Sequence, residues 1–330
     1  MHIPTLDAHC DTIILREVRD EPMDFADATD RYHVDLPGMK AGSLAATFVM
    51  VGDNRLVQSI KLIDAVHQIC ETQPSQFALC RTQSDLRAAV DAGQVALFMS
   101  VEGQAMFADE IAGTRNWARL GVTMFSLTHG EGRFPGAAGS TALQYDGAVF
   151  GYLTPVQRAN HFRQTKGLTP FAREAIAEIG KRGLILDLAH ATDRSFDEAL
   201  EIVTGPVCVS HGCTYSVCPH ARNLTDDQMK RLASRGGVLG ICFWGPFLDV
   251  DPKAATIDRV CDHVLHAIDI MGEAHVGVGT DFDGVNLTDM CAVETAGDFP
   301  KLWEQLATRG VSEAVIRRIA MDNFAALLQP

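Results

Sequence analysis

Basic charge is scarce in this chain: 28 Lys and Arg stand against 42 Asp and Glu, for a net charge of -14. Such a surface repels nucleic acid and anionic membranes, so the expected partner is a small molecule. No apolar run approaches the roughly 20 residues that a bilayer span requires, so the chain is expected to be soluble. Met1-His2-Ile3-Pro4 leads straight into a strand pattern, with no basic segment or apolar signal region ahead of it; the expected compartment is the cytoplasm. There is no low-complexity linker and no short-period repeat. A Cys-x2-Cys step is also missing. Nine cysteines, an odd number at irregular spacing, fit reduced thiols better than a disulfide framework. Cys208, Cys213 and Cys218 flank His211, but neither their spacing nor strand alternation suits a thiolate metal site.

What the chain does have is a regular alternation of apolar runs and amphipathic segments. Strands are expected around Leu6-Asp7-Ala8-His9-Cys10-Asp11 and over 43–51, 95–100, 122–127, 184–188, 207–210, 238–243 and 275–279. Helical spacing appears between them, as in Leu56, Ile60, Ile63, Val66 and Ile69, and again over 170–181. Eight near-continuously apolar strands alternating with helices predict a closed parallel (β/α)8 barrel of the TIM type rather than an open doubly wound sheet. The tail over 300–328 reads as additional helices packed outside, and residues 1–330 as a single barrel domain.

In such a barrel the chemistry gathers where the strands end. Strand one closes on His9 and Asp11, strand three on Glu102, strand four on His129, strand five on His190, strand six on His211 and strand eight on Asp281. Any one of these suits a structural hydrogen bond. Six of eight strands closing on an ionisable residue at the same end does not suit independent accidents. Alternation along an extended strand puts His9 with Asp11, and Phe98 and Ser100 with Glu102. It also turns Asp187 away from His190, to an outward or supporting position. Imidazole and carboxylate donors suit a divalent metal such as zinc. With Glu102 spanning two ions, His9 and Asp11 hold one and His190 and His211 the other, leaving room for a shared water or hydroxide.

These residues resemble the membrane (renal) dipeptidase family of the amidohydrolase superfamily. The likeness rests on Asp7-Ala8-His9-Cys10-Asp11, Ser100-Val101-Glu102-Gly103, Leu127-Thr128-His129, Gly167-Leu168-Thr169-Pro170-Phe171, Asp187-Leu188-Ala189-His190, Ser210-His211, Arg222-Asn223-Leu224-Thr225-Asp226-Asp227 and the run from His275 to Gly284. It spans nearly the whole chain. The resemblance implies two Zn2+ ions bridged by Glu102, hydrolysis of dipeptides by a metal-bridging hydroxide, proton handling by Asp281, polarisation of the substrate carbonyl by His129, and capture of the C-terminal carboxylate by Arg222. It also implies a homodimer. Three departures stand out: Cys10 where the family usually has Asn, Ala8 where it often has Gly, and a loop over 131–141 without the expected Asn-containing pattern, which bears on selectivity. A carboxylated-lysine bridge, as in other branches of the superfamily, is disfavoured because none of the seven lysines (40, 61, 166, 181, 230, 253 and 301) lies in an expected strand. Another binuclear amidohydrolase acting on a small amide, or a non-catalytic metal-binding barrel, remain as alternatives. Asp281, His129 and Arg222, which a bare metal site would not require, argue against the latter.

Overall fold

The computed structural model describes residues 1–26, 30–52, 56–103, 110–126, 129, 152–164, 167–284 and 292–330. The loop over 131–141, and Leu127 and Thr128 before His129, lie outside the described residues. Among the described residues there are nine strands: β1 (Thr5–Cys10), β2 (Leu44–Met50), β3 (Phe77–Leu79), β4 (Val95–Glu102), β5 (Val122–Ser126), β6 (Ile185–Asp187), β7 (Val207–Gly212), β8 (Val238–Ile241) and β9 (Val276–Val278). All pairings are parallel, β1 lies between β2 and β9, and β2 pairs with β4, which closes eight of the nine strands into a barrel. The ninth is β3, which pairs with the first half of β4 while β5 pairs with the second half. Three residues carry too little alternation to announce a strand, which is why periodicity passes over β3.

Every residue of β4 is buried, as a parallel strand covered on both faces requires. One side packs into the barrel lumen, where Leu6, Ala46, Phe48, Ala96, Phe98, Met124, Ile185, Cys208 and Val238 form one cluster. The other side packs against the helices, with Leu97, Met99, Val101, Leu186 and Val209 in a larger outer core. Helix Pro170–Lys181 illustrates the outer layer. The Thr169 hydroxyl accepts from the Ala172 N–H at 3.1 Å, Pro170 starts the first turn, and Ala172, Ala175, Ile176 and Ile179 bury one stripe. Loss of such a cap costs about 1 kcal/mol.

The tail only partly follows expectation. Helix Phe299–Thr308 does pack outside, with the Trp303 indole N–H donating to Thr5 Oγ1 at 3.2 Å. Phe324, Leu327 and Leu328, however, join the lumen cluster and close the N-terminal mouth of the barrel. Gly277 makes this plug possible, because a Cβ there would strike the Phe324 ring. Among the described residues no helix is long and apolar enough to cross a membrane.

Candidate metal centre

At the opposite, C-terminal mouth the strands depart from regularity where the ionisable residues lie. The register of β1 against β2 slips between Asp7 and Cys10, and that of β7 against β8 slips between Val209 and Gly212. Below these bulges Leu6, Ala8 and Cys208 face the lumen. Unbroken alternation would therefore send His9 and His211 outward. The extra residue in each strand re-aims both rings inward, a known use of bulges beside functional sites, and their centroids come to 4.1 Å. Glu102 needs no such device, since it continues the inward series of Ala96 and Phe98 on β4.

His190 and Asp281 lie three residues beyond β6 and β9, both in the left-handed region, with φ of 63° and 62°. For a residue with a Cβ that conformation costs roughly 1–3 kcal/mol, held in place by its surroundings. Strand alternation therefore never reaches His190. It also misplaces Asp187, which shares the inward side with Ile185 and Cys208 rather than turning outward, because its carboxylate contacts both Ser210 and the Cys208 thiol inside the barrel. Asp11 is the N-cap of helix Thr12–Val18 yet makes no capping hydrogen bond, so its carboxylate is left to the site. Gly284 opposite has no Cβ, which would otherwise strike the carboxylates of Asp11 and Asp281.

The result is one tight cluster. His9 Nε2 lies 3.2 Å from Asp11 Oδ2, 3.5 Å from Glu102 Oε2 and 3.9 Å from Asp281 Oδ1. The other oxygen of Glu102, Oε1, lies 3.0 Å from His190 Nε2 and 3.7 Å from His211 Nε2. The His190 and His211 Nε2 atoms are 2.9 Å apart, and the His129 ring stands edge-on to His190 at 4.9 Å. Three overlapping groups have ligand atoms within 4.8 Å of one another: His9, Glu102 and His211; Glu102, His129 and His190; His9, Asp11 and Asp281. None contains a cysteine, and burial pushes the Cys208 and Cys213 thiols well up, which keeps them protonated.

The electrostatics asks for added positive charge. Burial opposes ionisation of Glu102, but His129, His190 and His9 outweigh it and hold the carboxyl well below its ordinary range. Burial pushes Asp281 up to about 8; Asp11 and Glu102 add to this, while His9 and Arg222 oppose it. Burial, reinforced by Arg222, lowers His190 to about 3, and burial with the neighbouring His9 holds His211 well below its usual value. Both rings are thus neutral with a lone pair to offer, as metal ligands must be. His9 goes the other way: burial is overcome by Asp11 and Glu102 and its pKa rises well above the usual value. His9 Nε2, Asp11 Oδ1 and His129 Nδ1 are buried and have no hydrogen-bond partner among the described residues. Unpaired buried N and O atoms amid carboxylates are costly unless a cation meets them, so the donor set fits a hard or borderline divalent metal.

Supporting contacts hold this mouth in shape, and nothing in the periodicity announces them. Asp7 accepts from the Thr280 N–H at 2.8 Å and the Thr280 hydroxyl at 2.7 Å, tying β1 to the segment that ends in Asp281. Asp283 accepts from the Thr12 hydroxyl and the His33 N–H, and its own N–H donates to His33 Nδ1 at 2.9 Å. Arg222 lies on the loop after β7, stapled by Asn223, whose Nδ2 donates to the carbonyls of Cys218 at 2.8 Å and Phe247 at 2.7 Å. The His220 ring accepts the Arg222 N–H at 3.2 Å. The Arg222 guanidinium stands over the Phe247 ring at 5.4 Å and directs Nη2 to His211 Nε2 at 3.0 Å.

Comparison with known proteins places this arrangement among relatives. A family model described as membrane dipeptidase (peptidase family M19) matches residues 1–329. Dipeptidase verJ of Clonostachys rogersoniana is 30% identical over 270 residues, covering 82% of this chain and 64% of its own length. Dipeptidase tcpJ of Claviceps purpurea is 27% identical over 312 residues, covering 90% of this chain and 69% of its own. The chain thus spans about two thirds of the length of these curated relatives. Among solved structures, a metallopeptidase from Rhodobacter sphaeroides, liganded with a phosphinate mimic of the dipeptide L-Ala-D-Ala, superposes with a TM-score of 0.84 at 23% identity, covering 99% of both chains. A dipeptidase described as a metallopeptidase of family M19 gives a TM-score of 0.83 at 25% identity, over 99% of this chain and 98% of its own.

Proposed function

The chain belongs to the membrane dipeptidase family, peptidase family M19, and from that membership together with the geometry of the barrel mouth we propose that it is a zinc-dependent dipeptidase acting on dipeptides with a free C-terminal carboxylate. One observation carries the reading: the two oxygens of Glu102 are divided between His9 on one side and the His190 and His211 pair on the other. That division supports two metal positions sharing one carboxylate, with His9 and Asp11 holding the first ion and His190 and His211 the second. When bound, such a pair would lower the pKa of water and polarise the scissile carbonyl.

The remaining residues supply what a metal pair does not. Asp281 stands partly exposed beside the first position, with a carboxyl that its protein surroundings push up to about 8. Cations next to it lower that value, so in our reading it takes a proton from the attacking water and carries it to the leaving amine. His129 reaches the cluster from the other side, with Nδ1 unpaired and available to a substrate carbonyl oxygen. Arg222 presents a fixed, two-pronged guanidinium, which matches a carboxylate and not a peptide amide.

Dipeptides, their C-terminal amides and matching tripeptides, compared on wild type and Arg222→Met, test the reading. An unpaired charge in a desolvated pocket is worth about 2 to 5 kcal/mol, so the free acid should exceed the amide in kcat/KM by roughly thirtyfold or more on wild type. The variant should lose that preference. Equal kcat/KM for acid and amide on wild type removes the carboxylate role of Arg222 and the restriction to dipeptides.

A further inference from the structure

We propose that Asp187 is a positioning residue: acting through the Ser210 hydroxyl, it holds the His211 ring in the tautomer with the proton on Nδ1 and so keeps Nε2 open to a metal ion. The inference rests on the reading of His211 as a ligand. Asp187, at the end of β6, is 3% exposed and accepts at Oδ1 from the N–H groups of Ser210 at 2.8 Å and Ala189 at 3.0 Å. Its Oδ2 lies 2.6 Å from Ser210 Oγ, and that same oxygen lies 2.9 Å from His211 Nδ1.

Proton counting then selects one arrangement. Three donors, the Ala189 and Ser210 N–H groups and the Ser210 hydroxyl, are aimed at the Asp187 carboxylate, so the single proton of that hydroxyl goes to Asp187. Ser210 Oγ is left as an acceptor toward the ring, so His211 Nδ1 must donate. The far side of the ring agrees: Nε2 lies 3.0 Å from Arg222 Nη2, which has no lone pair and can only donate, and 2.9 Å from His190 Nε2, the second nitrogen turned to the same point. Ser210 has little freedom to drift, because glycines at 240 and 279 let two neighbouring segments close on its carbonyl, where a Cβ on either would collide.

A second carboxylate in the same barrel shows that this reach to a ring is specific. Asp7 repeats the pattern of acceptors, taking the N–H and hydroxyl of Thr280 and the His9 N–H at 3.3 Å. The Thr280 hydroxyl, however, meets the His9 carbonyl at 3.3 Å and accepts the Phe282 N–H at 3.0 Å, and reaches no ring nitrogen. Asp7 braces backbone, whereas Asp187 governs a side chain.

The near-isosteric Asp187→Asn puts an amide N–H toward Ser210 Oγ, which turns the hydroxyl proton onto His211 Nδ1 and forces the ring proton to Nε2. In 15N-histidine-labelled, chelator-treated full chain, the His211 resonances should exchange Nδ1–H character for Nε2–H character. Affinity for one of the two zinc ions, measured by chelator competition with zinc alone, should fall by about ten- to a hundredfold. Ser210→Ala should release the tautomer preference and weaken the same ion, while Asp7→Asn should lower Tm without altering the His211 signals. An Nδ1–H ring and wild-type zinc affinity in Asp187→Asn overturn the proposal; if that variant does not fold, the same result in Ser210→Ala overturns it. Wild type that binds no zinc would instead defeat the ligand reading, and the 15N spectrum would still decide the relay.

Discussion

The two ends of the same barrel are built on opposite terms. At the N-terminal mouth, Leu6, Phe48, Phe98 and Phe324 are 1% exposed or less, Phe48 and Phe98 stack at 5.0 Å, and the Phe324 ring closes the opening. At the C-terminal mouth the same strands end in two bulges, three left-handed residues (His190, Asp281 and Asp283) and a cluster of buried carboxylates and imidazoles with unpaired atoms. The lower end satisfies every side chain by dispersion and burial and so contributes stability. The upper end does the reverse. Buried charge and strained backbone cost free energy, and they persist because the packed lower half and the braces from Asp7, Asp187 and Asp283 hold the chain there.

The largest effect should come from removing the shared carboxylate. Glu102→Gln should empty both metal positions together, and dipeptide hydrolysis should fall by on the order of ten thousandfold, the several kcal/mol that metal chemistry supplies. Elemental analysis alongside kinetics checks it. Retention of one ion with substantial activity would break the bridging role. Next, Asp281→Asn should keep its metal but lose turnover by about a hundredfold or more; loss of metal instead would make Asp281 a ligand.

The opposite mouth should respond in the opposite currency. Phe98→Ala opens a hole in the lumen and should cost about 3 to 5 kcal/mol in urea unfolding, with zinc content unchanged. Loss of zinc at full occupancy of the folded state would mean that the two ends are not separable. The smallest effect concerns acid. His263 accepts the Thr214 N–H at Nδ1 and donates from Nε2 to the Leu248 carbonyl, joining the loops after β7 and β8. Burial lowers its pKa from 6.5 to about 4. Between those values the unfolded chain binds a proton that the folded chain does not. Its contribution is therefore complete above the upper value and lost as pH falls toward the lower one, at most about 3 kcal/mol. Urea midpoints at neutral pH and near pH 5 should diverge more for wild type than for His263→Gln; equal slopes would remove His263 from the acid response.

Legibility in the sequence follows the same division. The eight barrel strands could be read because burial on both faces leaves long apolar runs, and Glu102 could be assigned a direction because β4 alternates without interruption from Ala96. The three-residue β3 and the folding-in of Phe324 could not be read, one being too short for a period and the other depending on the space left by Gly277. Alternation along the strands predicts His9, His190 and His211 on the inward side, and they do come together, but through bulges in β1 and β7 and a left-handed residue after β6 rather than through unbroken alternation. Asp187, assigned to an outward or a supporting position, points inward and takes the supporting one, reaching His211 only through Ser210.

By itself, the amino-acid order determined the eight strands of the barrel, that they close on one another, and that imidazoles and carboxylates collect at one rim, because those properties follow from local hydrophobic pattern and from which residue ends each strand. Only the tertiary structure decided the direction of each ring, the division of the Glu102 oxygens and the chain from Asp187 through Ser210 to His211. A bulge is a mismatch of length between two paired strands, and a tautomer is set by neighbours more than twenty residues away on another strand, so neither is written in any single stretch of sequence.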